Sequence, residues 1–147
     1  MDLKSRINED MKNHMKSKDS LALNTVRMLK AEIKNAEIAK IGELSDDEIV
    51  KVIQSSIKKR RESAEMYSNA GRSELADKEL REIDILQKYL PEQLSENEII
   101  EIIKGVISES KEKNFGAIMK TVMAKVQGRA EGKVVSSLVK EVVDGLR

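Results

Sequence analysis

Gly128-Arg129-Ala130-Glu131-Gly132-Lys133 places two glycines and two cations within six residues, between two amphipathic helix patterns. Lys125 stands just before this run, and Lys120 lies on the preceding helix pattern. A helix start exposes main-chain N–H groups, and cations gathered beside one suit a phosphate. Two readings fit the run. In the first it is a tight helix-to-helix turn, with glycine supplying a positive φ. In the second, Lys120, Lys125, Arg129 and Lys133 and the amides at the next helix start hold a nucleic-acid backbone. Aromatic residues make up only 2% of the chain, which leaves little to stack on unpaired bases. The second reading therefore points to phosphate and shape recognition of a folded RNA.

Other chemistry is sparse. The single histidine, His14, has Asp10 one turn before it and no second histidine to complete a metal site, so it reads as a boundary residue. The absence of cysteine excludes disulfides, thiolate zinc sites and a cysteine nucleophile. Asp46 and Asp47 sit where a helix dipole favours acids rather than where two carboxyls would share a proton. The serines fall at helix starts, and no phosphate-loop or dinucleotide spacing occurs. No catalytic constellation and no cofactor are expected. Lys58-Lys59-Arg60-Arg61 turns by about 100° per residue on a helix, so it cannot form one flat patch. Its members read as solvated or paired, for instance Lys58 or Arg61 with Glu62 or Glu65. Arg27 borders an apolar stripe and reads as a tie to Glu79 or Glu82.

A 36% content of charged residues with one proline and few aromatics points to long, solvent-lapped helices around a core of Ile, Leu, Val and Met. The net charge of +1 hides an asymmetry. Residues 91–110 hold five acids and one base, a balance of −4, whereas residues 111–140 hold seven bases and two acids, a balance of +5. Such a local field steers an anion more than the total charge does. No run has the length of a membrane span, and the N-terminal residues lack the apolar stretch of a signal peptide. With the missing cysteines, this gives the expectation of a soluble cytoplasmic protein.

The elements that position these residues are all helical. Leu3, Ile7, Met11 and Met15 share one face of a first helix. Asp19 caps a second, carrying Ala22, Val26, Leu29, Ile33 and Ala36, which closes at Ile41-Gly42 with the glycine left-handed. Ser45 and Glu48 form a capping box for a third helix that buries Ile49, Ile53, Ile57 and Ala64 as far as Ala70-Gly71. Ser73 caps a fourth with Ala76, Leu80, Ile83, Leu86 and Leu90, ended by Pro91. Leu90-Pro91-Glu92-Gln93-Leu94 is the expected domain boundary. Ser95 and Glu98 repeat the capping box for a fifth helix bearing Ile99, Ile102, Ile103, Val106 and Ile107. A sixth starts at Asn114 or Phe115-Gly116, turns Ile118, Met119, Val122, Met123 and Val126 inward, and ends at Gly128. The seventh uses Val135, Leu138, Val139, Val142 and Leu146. The expected fold is all-α, with an N-terminal helical domain of about four helices at 1–90 and a C-terminal three-helix domain at 95–147.

LNTVRMLKAEIKNAEI (23–38), KKRRESAEMYSNAGRSELADKE (58–79), ILQKYLPEQLSENEI (85–99) and FGAIMKTVMAKVQGRAEGKVVSSLVKEV (115–142) together resemble the YqeY family of small bacterial proteins. That family is similar to the C-terminal tail of the B subunit of the aspartyl/glutamyl-tRNA amidotransferase. The resemblance implies a non-catalytic module that contacts tRNA through Gly116, Lys120, Gly128, Arg129, Ala130, Gly132 and Lys133. Glu131 stands where Asp or Asn would fit the family pattern, which weakens a short cap onto the following helix. Two other functions remain open. One is an adaptor that docks an amidotransferase or an aminoacyl-tRNA synthetase through its Met-rich helical faces. The other is a component of carbon–nitrogen ligation with glutamine as amide donor, for which the chain supplies no nucleophile.

Overall fold

The computed structural model describes residues 2–145. Within them the chain forms seven α-helices and no strand. These are α1 (Leu3–Ser17), α2 (Ser20–Lys40), α3 (Asp46–Asn69), α4 (Ser73–Gln87), α5 (Glu96–Glu109), α6 (Phe115–Lys125) and α7 (Gly132–Asp144). None of the described helices is long and apolar enough to cross a membrane. The chain divides into two compact units, Met1–Leu90 and Pro91–Arg147.

In the first unit, α1 to α4 surround a core that includes Ile7, Leu29, Ile49, Ile53, Ile83 and Leu86. Each such side chain taken from water stabilises the fold by roughly 1.5–3 kcal/mol. The helix starts are fixed locally. The Asp2 and Asp19 carboxylates accept from the amides of Ser5 and Ala22, and Ser45 and Glu48 form the expected capping box. Tyr89 is buried at the end of this unit. It donates to Asp10 at 2.7 Å and carries Arg6 over its ring, which ties α1 to the chain beyond α4.

Several expected positions shift, some through packing and some through the way a neighbouring helix closes. Met15 is half exposed, because the packing along α1 stops at Met11. Ser73 is the first residue of α4 rather than its cap. Gly71, at φ 75°, lets the amides of Gly71 and Arg72 bond the last carbonyls of α3, and the cap position falls on Arg72. α4 ends at Gln87, short of Leu90. Its buried arc runs through Ala76, Glu82, Ile83 and Leu86, and Leu80, about 40° beyond Ala76 at ~100° per residue, falls outside it.

The buried arginine is Arg60, and Arg27 is exposed. Arg60 Nη1 pairs with Glu82 and lies 3.5 Å from Glu79, so a member of the four-cation run takes the partners assigned to Arg27. Its Nε has no hydrogen-bond partner among the described residues. The hold on α4 therefore runs through the end of the guanidinium.

At the end of α2 the left-handed residue is Ile41 (φ 59°, ψ 53°), not Gly42, and it is 93% exposed. A β-branched residue in this region costs roughly 1–2 kcal/mol, and no burial offsets it here. Ile41→Gly should therefore raise stability by about 1 kcal/mol, seen as a higher midpoint in thermal unfolding. An unchanged or lower midpoint would contradict the strain.

Glu48 adds a pH dependence. Its carboxyl is held down to about 2 from an ordinary 4.5, first by the Lys40 ammonium 2.7 Å away and then by the Ser45 amide. A depressed carboxyl stabilises the fold above its unfolded value and loses that contribution as pH falls through its folded value. The urea midpoint should thus decline as pH drops from about 4.5 towards about 2. Lys40→Met should make that decline shallower, and an equally steep decline would rule Lys40 out as its main source.

In the second unit, α5, α6 and α7 enclose Ile99, Ile103, Ile118, Val122, Val135 and Val139. Ser95 and Glu98 form the second capping box, and Asn114 caps α6 by accepting from Ala117 N. On α7 the buried residue of the last turn is Val143, with Val142 only partly covered. Leu146 lies outside the described residues.

Candidate nucleic-acid interface

The site begins with the way α6 ends. Ile118, Val122 and Val126 recur every fourth residue and are fully buried, so α6 is held until its last turn. The Val126 amide closes that turn on Val122 O, and the Arg129 amide returns to Val126 O at 2.7 Å. Gly128 sits at φ 77°, which reverses the chain and which a side chain would strain. Ala130, 5% exposed, drops into the core between the two helices. Glu131 is extended and precedes α7 without a side-chain cap hydrogen bond. Its carboxylate sits one methylene further out than that of the Asp expected there.

The inner side of the loop is pinned by the segment that opens this unit. Gln93 Nε2 donates to Gly128 O at 3.0 Å, and Leu94 N donates to Arg129 O at 2.8 Å. On the outer side, Lys125, Arg129, Gly132 and Lys133 are exposed. Lys125 occupies the last turn of α6, where the helix dipole favours a cation. Two acids border this surface, Glu131 within the loop and Glu98 on α5. The Glu98 carboxyl is held below its ordinary value first by the Ser95 amide, then by the Ser95 hydroxyl, with Arg129 contributing.

The structure thus gathers Lys125, Arg129, Gly132 and Lys133 at one end of the second unit. It buries Gly128 and Ala130, which shape the loop from inside. Gly116 and Lys120 are not brought to the loop. Gly116 is the second residue of α6, about 14 Å along the axis from Lys125 at ~1.5 Å per residue. Lys120 lies about 7 Å from Lys125 along the axis and is turned roughly 140° around it. A Cβ at Gly116 or Gly132 would meet only ordinary van der Waals contacts, so packing within the chain does not require glycine at either place. The Gln93 contact has no local sequence signal, because its acceptor lies 35 residues away.

The family model described as Yqey-like protein matches residues 4–143. The chain is 37% identical over 143 residues to altered inheritance of mitochondria protein 41, mitochondrial, of Pyrenophora tritici-repentis, covering 94% of this chain and 79% of that one. The protein of the same name from Lachancea thermotolerans is 32% identical over 133 residues, covering 88% and 71%. A glutamyl-tRNA(Gln) amidotransferase subunit of Saccharolobus solfataricus is 34% identical over 126 residues, which is 82% of this chain but 19% of that larger protein. The expectation of a cytoplasmic location is overturned by the first two relatives, both named as mitochondrial. A cysteine-free composition does not distinguish the cytosol from another compartment that keeps thiols reduced. A match that runs through the seven helices almost end to end, with relatives above 30% identity over most of their lengths, places the chain in the Yqey-like protein family.

Proposed function

We propose that this protein is a non-catalytic tRNA-binding module made of two domains, an N-terminal one of four helices and a C-terminal one of three, with the RNA held by the second. The observation that carries the reading is the loop at 128–133. Its inner carbonyls are bound by residues 93 and 94 while Lys125, Arg129 and Lys133 project outward. A fixed backbone with exposed cations suits phosphates, which position a nucleic acid without reading its sequence. Gly132 leaves room for a sugar–phosphate chain to approach the start of α7. Lys120, further along α6, meets the same ligand at a neighbouring phosphate, and Gly116 offers open backbone at the far end of that helix. The likeness to a protein named for a tRNA amidotransferase supplies the class of RNA.

Titration of bulk tRNA against the full chain and against Lys125→Glu/Arg129→Glu/Lys133→Glu tests this reading. Tight binding by the wild type and strong loss in the variant is the expected result, and equal affinity would overturn it.

A second reading, an adaptor for an amidotransferase or synthetase, draws on two observations. The related stretch forms 19% of a larger amidotransferase component, and Met15, Met28 and Met66 are at least half exposed. Capture of such an enzyme by the tagged protein after ribonuclease treatment would favour it. Glutamine-dependent amide formation by the isolated chain would instead favour a role in carbon–nitrogen ligation.

A further inference from the structure

The backbone around Arg129 is held by residues far from it in sequence. The carbonyl of Gly128 and the carbonyl of Arg129 belong to the two peptide planes on either side of the Arg129 Cα. Gln93 Nε2 binds the first at 3.0 Å, and Leu94 N binds the second at 2.8 Å. The plane before Arg129 is held at its other end too, because the Arg129 amide donates to Val126 O at 2.7 Å. A peptide plane is rigid, so fixing both neighbours fixes φ and ψ of the residue between them and the direction of its Cα–Cβ bond, the root from which its side chain starts. The same Gln93 nitrogen donates to Pro91 O at 2.8 Å. Both partners of this amide are carbonyls, which requires the NH2 group, not its oxygen, to face them. Leu94 is packed against the second core, so the strap that holds the loop is itself anchored.

We propose that Gln93 is a positioning residue: it clasps the 128–131 loop and directs the Arg129 guanidinium towards a phosphate of the bound RNA. This rests on the tRNA-binding reading above and names the residue that sets its geometry. Gln93 itself need not touch the ligand. Its removal should act through Arg129 and leave Lys125 and Lys133 in place.

The test uses the full chain, Gln93→Met, which keeps the length and removes the donor, and Gln93→Lys, which restores donors on a stem of similar length. Amide hydrogen exchange is read at residues 126–133, with helix content by circular dichroism as the folding control. In Gln93→Met the Arg129 amide should exchange about fivefold faster, as for one lost hydrogen bond. Gln93→Lys should return it to the wild-type rate. With tRNA, the salt slope of binding by Gln93→Met should shrink by about one, the mark of a single lost phosphate contact. Unchanged exchange in Gln93→Met, failure of Gln93→Lys to restore it, or an unchanged salt slope would each overturn the proposal. A wild type that binds no tRNA would overturn the functional reading alone, since exchange still decides whether Gln93 holds the loop.

Discussion

Arg60→Met should destabilise the first unit by about 3–5 kcal/mol, more than most single substitutions in a helical protein. Arg60 and Glu82 are each 7% exposed, and Glu79 is partly buried. Water hardly reaches Glu82, so removing the cation leaves that carboxylate without the arginine and with little solvent, while Glu79 keeps partial access to water. The large effect reflects the group left behind and not the net worth of the ion pair. Replacing all three, as Arg60→Met/Glu79→Gln/Glu82→Leu, should therefore recover most of the loss. Arg27→Met, on an exposed position of α2, should change stability by no more than about 0.5 kcal/mol. Urea denaturation of the four proteins measures these differences. Similar midpoints for Arg60→Met and Arg27→Met would refute the assignment of Arg60 as the buried cation.

The Lys125→Glu/Arg129→Glu/Lys133→Glu variant should bind tRNA more weakly by on the order of a hundredfold at low salt, because three attractions to phosphate become three repulsions. All three side chains are exposed, so helix content should not change. Lys120→Glu should weaken binding only about threefold, since Lys120 points to a different side of α6 and meets at most an outlying phosphate. Equal losses from Lys120→Glu and from a single reversal at Lys125 would show that the surface acts by overall charge and not through the loop.

The parts of this molecule that were legible in the sequence are those governed by short-range rules. Ser45 with Glu48 and Ser95 with Glu98 are three residues apart, and both pairs form the boxes that their spacing predicts. The four-residue recurrences at Ile49, Ile53 and Ile57, and at Ile118, Val122 and Val126, lie inside as expected. The misplacements arise where distant packing, or the closure of a helix, overrides the local pattern. The buried arc of α4 extends to Glu82, whose carboxylate Arg60 on another helix holds, while Leu80 lies beyond its opposite edge. Ile41 takes the left-handed turn although a glycine follows it, since its amide bonds back to α2 one residue earlier than that glycine would require. In the loop, the glycine-and-cation pattern marked the turn between α6 and α7 but not its sidedness. Burial of Ala130 and the clasp from Gln93 and Leu94 decide which atoms face outward, and neither has a local signature. Gly116 and Lys120 were grouped with the loop through the family resemblance, and the ~1.5 Å rise of a helix sets both apart from it along α6.

The central claim is that Lys125, Arg129 and Lys133 hold an RNA backbone, and the most direct measurement is the affinity of the full chain for bulk tRNA across a range of salt concentrations. Three phosphate contacts at the loop, with an outlying one at Lys120, predict that log affinity falls with log salt at a slope of about −3 to −4. No binding at low salt, or a slope close to zero, would contradict the claim.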